Sequence, residues 1–188
     1  MDNRSHILEC ALELFSERGY EATGVQEVVE AAGVTKPSLY HYFNSKRGLL
    51  DALLEQEFAG LTAQLGQAAL YAGDLVLTLE KAVRVYFGFA RAHRRFYRMR
   101  LTMQFAPPES EPNQAVTRFS MAHFHCVEEL FTQAAADHGN LRGRQRAYAA
   151  TFIGMIDTYI GMFLNGYIEL DDALVYQAVH QFMHGIFA

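Results

Sequence analysis

A short stretch rich in basic and aromatic residues, "AAGVTKPSLYHYFNSK" (residues 31–46), carries side chains suited to contact an anionic partner. It holds Lys36, Lys46 and His41, and no acidic residue lies between Glu30 and Asp51, although the net charge of the chain is −5. Ammonium, imidazole and hydroxyl groups donate hydrogen bonds to phosphate oxygens and to base edges. The local charge therefore predicts contact with nucleic acid.

The elements that position these side chains are predicted to be two short helices joined by a tight turn. Thr23 is expected to cap a helix over 24–32, and Gly33 supplies the backbone angles of the turn. Thr35 is expected to cap the second helix, with Pro37 tolerated in its first turn. This arrangement is typical of a helix-turn-helix.

The helical phase of residues 36–43 predicts which side chains of the second helix face outward. At about 100° per residue, Leu39 and Phe43 point into the core. The opposite face and its edges suit a major groove, with phosphate donors around them from the helix start and from Lys46 in the next helix. The predicted DNA-contacting residues are Thr23, Thr35, Lys36, Pro37, Ser38, Tyr40, His41, Tyr42 and Lys46. The alternative, a plain helical pair in a core, does not explain three adjacent rings at 40–42.

A first helix is predicted from about Asn3 to Arg18, ended by Gly19. Its acidic residues Glu9 and Glu13, together with Glu17, are spaced by four and form a solvated face that must point away from nucleic acid. Asn44 is expected to cap a fourth helix over about 45–69, which links two domains.

The segment "ILECALELFSERGYEATGVQEVVEAAGVTKPSLYHYFNSKRGLL" (7–50) closely resembles the DNA-binding domain of TetR-family transcriptional regulators. The shared pattern is an "LFxxxGY" first helix, "AAGVxxxxLYxYFxSK" and a following "LL". The resemblance covers about a quarter of the chain. The remainder resembles the family only in length and helical character.

The resemblance implies a homodimer on a roughly palindromic operator and a C-terminal domain that dimerises and holds an inducer pocket. Position by position, Thr23, Tyr40 and Lys46 match phosphate contacts of the family. The positions nearest the bases are Lys36, Pro37, Ser38 and His41. Arg47 departs from the family pattern because an acidic residue is frequent there.

The predicted fold class is all-α, with a three-helix helix-turn-helix domain at 1–47 and a helical ligand-binding and dimerisation domain at 48–188. Three of the four prolines fall in "APPESEP", which is predicted to be a loop. The two cysteines, Cys10 and Cys126, lie far apart and predict neither a disulfide framework nor a zinc site. A signal peptide and a membrane span are not expected, since no apolar run approaches about 18 residues.

An arginine-rich segment spans 77–105 and is free of acids from Lys81 to Pro108. If it forms one helix, Arg84, Arg91 and Arg95, with Arg98, share a face. Three interpretations stay open for this face: pairing with acids elsewhere, binding of an anionic ligand such as an acyl-CoA, and direct contact with nucleic acid.

Two histidine patterns resemble metal-ligand sets. His123 and His125 in "HFHC" are two residues apart, about 160° out of alignment on a helix over 113–138, so one is expected to face the interior. His180 and His184 have ligand spacing but lie on a polar face. We therefore expect no metal site and no cofactor.

Residues 147–168 are apolar nearly all round, and a last helix over 172–187 carries a stripe of Val175, Val179, Phe182 and Ile186. A helix apolar on all sides must be covered twice, once by its own core and once by a partner subunit. The two helices are predicted to form a four-helix dimer seam.

A small-molecule pocket for a largely apolar effector is predicted from aromatic residues, methionine and the isolated acid Asp157, whose alternative role is a structural ion pair. Its expected lining is Phe89, Phe96, Phe105, Phe119, His123, Met155, Asp157 and Tyr159.

The predicted function is a cytoplasmic, ligand-responsive DNA-binding repressor that acts as a homodimer and is not an enzyme, because no nucleophile–base pair or phosphate loop is present. The alternatives are a helical carrier or enzyme that uses the pocket, and an architectural DNA binder without sequence preference.

Overall fold

The structure is a computed structural model that describes residues 2–185. Within this range every regular element is helical, so the predicted all-α fold is confirmed. The helices are α1 (Asn3–Arg18), α2 (Val25–Ala31), α3 (Lys36–Phe43), α4 (Lys46–Ala68), α5 (Leu75–Ala92), α6 (Arg94–Gln104), α7 (Glu111–Ala134), α8 (Gln145–Leu164) and α9 (Asp172–His184), with a short 3₁₀ turn at Gly139–Leu141.

The chain forms two compact units. The N-terminal unit comprises the described chain up to Ala59 together with Arg95–Phe119. The C-terminal unit comprises Gly60–Arg94 and the described chain from Ser120 onward. The predicted functional boundary after residue 47 stays a prediction.

The ends of α1 and α2 follow the predicted turn chemistry in part. Gly19 ends α1 with a φ of 85°, and Gly33 has a φ of 62° in the turn before α3, as expected. The cap of α2 was predicted wrongly. Gly24 occupies that position, and its N–H donates to the Glu27 carboxylate at 2.7 Å. This bond holds the pKa of the Glu27 carboxyl below its usual value, with a smaller contribution from Arg18.

The turn between α3 and α4 also differs from the prediction. Asn44 does not cap α4; it closes α3 in a left-handed conformation with a φ of 62°. Ser45 takes the capping role, since its hydroxyl oxygen accepts the Gly48 N–H at 2.9 Å.

The arginine-rich segment is two helices, not one, because the backbone leaves the helical conformation at His93. There the His93 ring stacks on Phe89 at a centroid distance of 4.4 Å, and the Arg94 guanidinium lies 4.2 Å from the Phe163 ring centroid. Arg84 and Arg91 therefore do not share a helical face with Arg95 and Arg98.

Two arginines of this segment form ion pairs. Arg84 pairs with Glu80 at 3.0 Å and with Asp172 at 3.3 Å. Arg95 pairs with Glu13 at 3.3 Å. These contacts favour the interpretation that the arginines pair with acids elsewhere in the chain.

In the C-terminal unit, α5 packs against α8 and α9. Val175 and Val179 of the predicted α9 stripe are buried and Phe182 is half-buried. Ile186 and the predicted helix end at Phe187 lie outside the described residues.

Helix α8 is long and apolar enough to cross a membrane, although the sequence analysis expected no membrane span. Over an 18-residue window its mean hydropathy is 1.3, and by length and composition it is the one described helix that could cross a membrane. Core helices of water-soluble proteins have the same composition, so this property alone is weak evidence for a membrane span.

Candidate nucleic-acid interface

The scaffold of the interface is the packed trio α1, α2 and α3. Leu39 and Phe43 anchor α3 with exposed fractions of 0 % and 4 %, as the helical phase predicts. Val28 and Val29 bury α2 against the same core. Because two buried side chains fix α3 at successive turns, the opposite face of α3 is held in a defined orientation.

The outward face of α3 is polar and aromatic. Tyr40 and Tyr42 are 43 % and 40 % exposed, and His41 is also exposed. The rings of His41 and Tyr42 meet edge to face at a centroid distance of 5.4 Å. Lys36 and Pro37 are exposed in the first turn. These residues form one continuous surface with donors that can reach base edges and phosphates.

The start of α3 is built by Thr35 and Ser38. The Thr35 hydroxyl oxygen accepts the Ser38 N–H at 3.3 Å, and the two hydroxyl oxygens lie 3.0 Å apart. Thr35 therefore caps α3, as predicted. Both hydroxyls lie at the positive end of the helix, where anions bind favourably.

Thr23 is placed differently from the rest of the predicted set. Its side chain is only 1 % exposed, and its hydroxyl donates to the Gly19 carbonyl oxygen at 2.9 Å. This geometry directs the hydroxyl into the fold and argues against a phosphate contact from it.

The two cations at the start of α4 have different partners. Arg47 is bound to Asp51 at 3.2 Å, so its charge is largely neutralised within the helix. Lys46 instead lies over the Tyr20 ring, with Nζ 4.1 Å from the centroid. A ring attracts a cation without cancelling its charge. Lys46, and not Arg47, is thus suited to meet a phosphate.

The predicted pocket residues fall into separate environments. In the N-terminal unit, Phe96 and Phe119 pack on Phe58 at centroid distances of 5.1 and 4.7 Å, and Phe105 is 80 % exposed. These rings are core or surface, because their apolar character does not distinguish a pocket from ordinary packing.

In the C-terminal unit, Phe89, His123 and Asp157 are buried. The His123 Nε2 lies 2.9 Å from the Thr62 hydroxyl, so His123 is the inward-facing member of its pair, as expected. His125 is exposed beside Glu128.

Met155 and Tyr159, both predicted to line the pocket, line one cavity. It has a volume of about 510 Å³ and lies between α8 and α9. The Tyr159 hydroxyl donates to Gln181 at 3.1 Å across it. The remaining lining residues are Tyr148, Thr151, Thr158 and Phe182.

A second groove, of about 620 Å³, was not predicted from the sequence. It lies in the C-terminal unit between the end of α4 and α5, and its lining is mainly apolar. Its cations are Lys81 and the ion-paired Arg84. A sequence signal for this groove was available. Ala63 and Gln67 are four residues apart, as are Gln64 and Ala68, so all four side chains lie on one face of α4.

Metal binding receives no support from side-chain clustering. His180 and His184 lie close, with centroids 4.7 Å apart. Over the part of the chain that the structure describes, no group of three or more potential ligands is gathered.

Known proteins resemble the chain in both sequence and fold. The family model "Bacterial regulatory proteins, tetR family" matches residues 7–53. The HTH-type transcriptional activator FasR of Mycolicibacterium smegmatis is 28% identical over 184 residues, which cover 98% of this chain and 82% of FasR. The HTH-type transcriptional repressor KstR2 of Rhodococcus jostii is 36% identical over 80 residues, which cover 43% of this chain and 39% of KstR2.

Among solved structures, the transcriptional regulator FadR from Bacillus subtilis, in complex with stearoyl-CoA, has the same fold. Its TM-score is 0.80 at 18% identity, covering 97% of this chain and 98% of that chain. These relatives are transcriptional regulators and not enzymes, and the matched segment contains the helix-turn-helix built by α2 and α3. Residues 7–53 of the chain therefore match the DNA-binding domain of the tetR family of bacterial regulatory proteins.

Proposed function

We propose that the protein is a homodimeric repressor that binds a palindromic operator through α3 and releases it on binding a small molecule. The observation that carries the proposal is the exposed polar and aromatic face of α3, fixed by Leu39 and Phe43. His41, Lys36 and Pro37 lie where base edges come within reach, and Lys46 and Tyr40 lie where phosphates pass. Binding to chromosomal DNA places the protein in the cytoplasm.

A second copy is needed because one small reading surface carries few positive charges. The surface of α8 supports a self-complementary interface: Gly154, Thr158 and Met162 are exposed at helical spacing, and Ala147 and Thr151 extend the row. Small side chains on an apolar helix permit close approach of a partner helix. The cavity between α8 and α9 lies beside this row and would receive side chains of the partner.

The first test combines sequence selection with salt titration. Selection from a random duplex library is expected to return a palindrome, which excludes both the carrier and the architectural alternatives. Affinity for a 30-bp duplex of that sequence, followed by fluorescence anisotropy, is expected to fall steeply with salt.

Lys46→Ala, present twice per dimer, is expected to reduce the slope of log K against log salt by about 1.8 and to weaken all sequences alike. His41→Ala is expected instead to change the preferred base. A salt-independent affinity of the wild-type protein would contradict DNA binding through phosphates.

The sign of regulation is proposed from the repressors among the relatives, such as KstR2. A dimer that covers its operator excludes RNA polymerase from an overlapping promoter. In a purified transcription system with the selected operator, the protein is expected to lower transcript yield. An increase would assign it the activator role that FasR has by name.

The effector is proposed to be a largely apolar molecule with an anionic head, bound in the groove between α4 and α5. Its apolar lining suits an alkyl chain, and Lys81 is a cation with no ion-pair partner among residues 2–185. Because α4 runs unbroken from Lys46 to Ala68, a shift of its end can change the separation of the two reading helices. Half-sites lie about 34–36 Å apart, or at multiples of this spacing, so a shift of a few ångströms weakens specific binding.

Stearoyl-CoA, the ligand in the FadR complex, is the probe for this site. It is expected to weaken binding to the operator duplex at least about tenfold, which is 1.4 kcal/mol of coupling and within the common range. Lys81→Glu is expected to raise the concentration needed for release, whereas Arg144→Glu, the same charge change at an exposed position on the cap of α8, is not. Unchanged DNA binding in the presence of stearoyl-CoA would contradict this effector class.

A further inference from the structure

Lys46 occupies a position where helix electrostatics do not favour it. It is the first residue of α4, at the positive end of the helix dipole, where a cation is repelled. Two other cations of the N-terminal unit are paired, Arg18 with Glu27 at 2.6 Å and Arg47 with Asp51 at 3.2 Å. A lysine here therefore does not serve to stabilise its own helix.

The contact that holds Lys46 is the face of Tyr20. Among residues 2–185 no carboxylate lies within ion-pairing distance of Nζ, and the ring centroid of Tyr20 is 4.1 Å away. Glu27 feels the Lys46 charge at longer range, but its oxygens bind Arg18 and the Gly24 N–H. The ammonium is thus oriented by a neutral ring and keeps its full charge.

The Tyr20 ring is itself fixed on two sides. It is 4 % exposed and meets Phe15 edge to face at a centroid distance of 5.2 Å. Its hydroxyl donates to Oε2 of Glu111, the first residue of α7, at 2.6 Å. Burial, reinforced by this bond, raises the pKa of the Tyr20 phenol, so the hydroxyl keeps its proton and remains a donor.

The Glu111 carboxylate also increases the attraction of the Tyr20 ring for the Lys46 ammonium. A hydroxyl that donates to a charged acceptor gives a short bond and shifts electron density toward the phenol oxygen and ring. An electron-richer ring attracts a cation more strongly. Glu111 therefore acts on Lys46 through Tyr20, although the two hydrogen-bonded residues are 91 positions apart in the sequence.

We propose that Tyr20 and Glu111 are positioning residues for DNA binding, which hold the un-neutralised ammonium of Lys46 where it meets a backbone phosphate. The proposal rests on the proposed function, since it assigns the support of one phosphate contact. It makes the start of α7 part of the DNA-binding apparatus, although Glu111 lies far from the helix-turn-helix in sequence. If the hydrogen bond between Tyr20 and Glu111 only stabilised the fold, its effect on DNA binding would not depend on Lys46.

The test is a double-mutant cycle on the selected 30-bp duplex. Tyr20→Phe keeps the ring and removes the donor, and Glu111→Gln keeps an acceptor and removes the charge. Each is expected to weaken binding about threefold to tenfold when Lys46 is present and to have no further effect in a Lys46→Ala background. Each is also expected to lower the salt slope toward that of Lys46→Ala, a change that lost stability alone does not produce.

Tyr71→Phe is the matched control, because the Tyr71 hydroxyl donates to Asp137 at 2.8 Å in the C-terminal unit and, within residues 2–185, no lysine lies over its ring. It is expected to leave affinity and slope unchanged. All measurements are made below the lowest thermal midpoint of the set. Equal losses with and without Lys46, or an unchanged slope, overturn the positioning role while DNA binding stands. Wild-type binding that ignores salt instead overturns the proposed function.

Discussion

Replacing Gly48 with alanine is expected to destabilise the DNA-reading part of the molecule severely and to abolish operator binding. A Cβ at this position would collide with the carbonyl oxygen of Phe43 and approach its carbonyl carbon to 3.2 Å. The obstacle is backbone, which cannot turn aside as a flexible side chain does. The turn between α3 and α4 must open for an alanine to fit.

The surroundings make this opening costly. Asn44 already adopts a left-handed conformation to bring α3 close to α4, and the Gly48 N–H is bound to the Ser45 hydroxyl. Phe43 on one side and Leu49 on the other are 4 % and 0 % exposed, so neither helix end can move without unpacking the core. Overpacking against a rigid neighbour costs about 1–3 kcal/mol or more, and we expect the upper part of this range.

Two other glycines of α4 provide matched controls. A Cβ added at Gly60 or Gly66 meets no atom within 4 Å. Alanine at these positions is expected to raise stability by up to about 1 kcal/mol, because alanine is the better helix former. Thermal midpoints by circular dichroism and anisotropy on the operator duplex measure both effects. If Gly48→Ala melts no lower than wild type, the close approach of α3 and α4 is not as the structure describes it.

The reading helix could be predicted from sequence because its determinants are local. The Thr35 cap and the buried pair Leu39 and Phe43 all follow from residues within one or two helical turns. Gly19 and Gly33 mark turns for the same reason, since their backbone angles are set at the residue itself. Interactions of this range are visible in a sequence without knowledge of the fold.

The contacts that were missed join distant residues or depend on competing partners. His93 interrupts the arginine-rich segment without a proline or glycine, through packing on Phe89 and the neighbouring Arg94–Phe163 contact. Glu111 carries no local signal that it binds Tyr20. Arg47 departs from the family pattern, and the sequence did not show that Asp51 one turn later binds it. A related reason limits the prediction of a pocket lining. Phe96 is buried and Phe105 is exposed, and neither phenylalanine carries a local sequence signal that tells core from surface.

The second large effect is expected at the surface of α8, where Thr158→Arg should convert the protein to a monomer. Thr158 lies in the exposed row of small residues, beside the cavity that Met155 and Tyr159 line. In a twofold interface each substitution occurs twice, so two guanidinium groups would be buried near each other. An unpaired buried charge costs several kcal/mol, enough to dissociate a dimer at micromolar concentration.

Thr132→Arg is the control that isolates position from chemistry. Both threonines are exposed on helices, and both hydroxyls donate to the carbonyl oxygen four residues earlier, at 2.9 Å for Thr132 and 2.8 Å for Thr158. The two variants therefore lose the same local bond and gain the same charge. Thr132→Arg is expected to remain a dimer with wild-type DNA affinity.

Sedimentation velocity and operator binding together decide the role of α8. Thr158→Arg is expected to sediment as a folded monomer and to bind the palindromic duplex at least about a hundredfold more weakly. In a dimer, binding of one subunit to its half-site raises the effective concentration of the other subunit at the second half-site, and a monomer loses this gain. Binding to a single half-site should be unchanged, since the α3 surface is intact. A dimeric Thr158→Arg with full operator affinity would contradict the α8 interface. A monomeric Thr132→Arg would place the dimer contact on α7 instead.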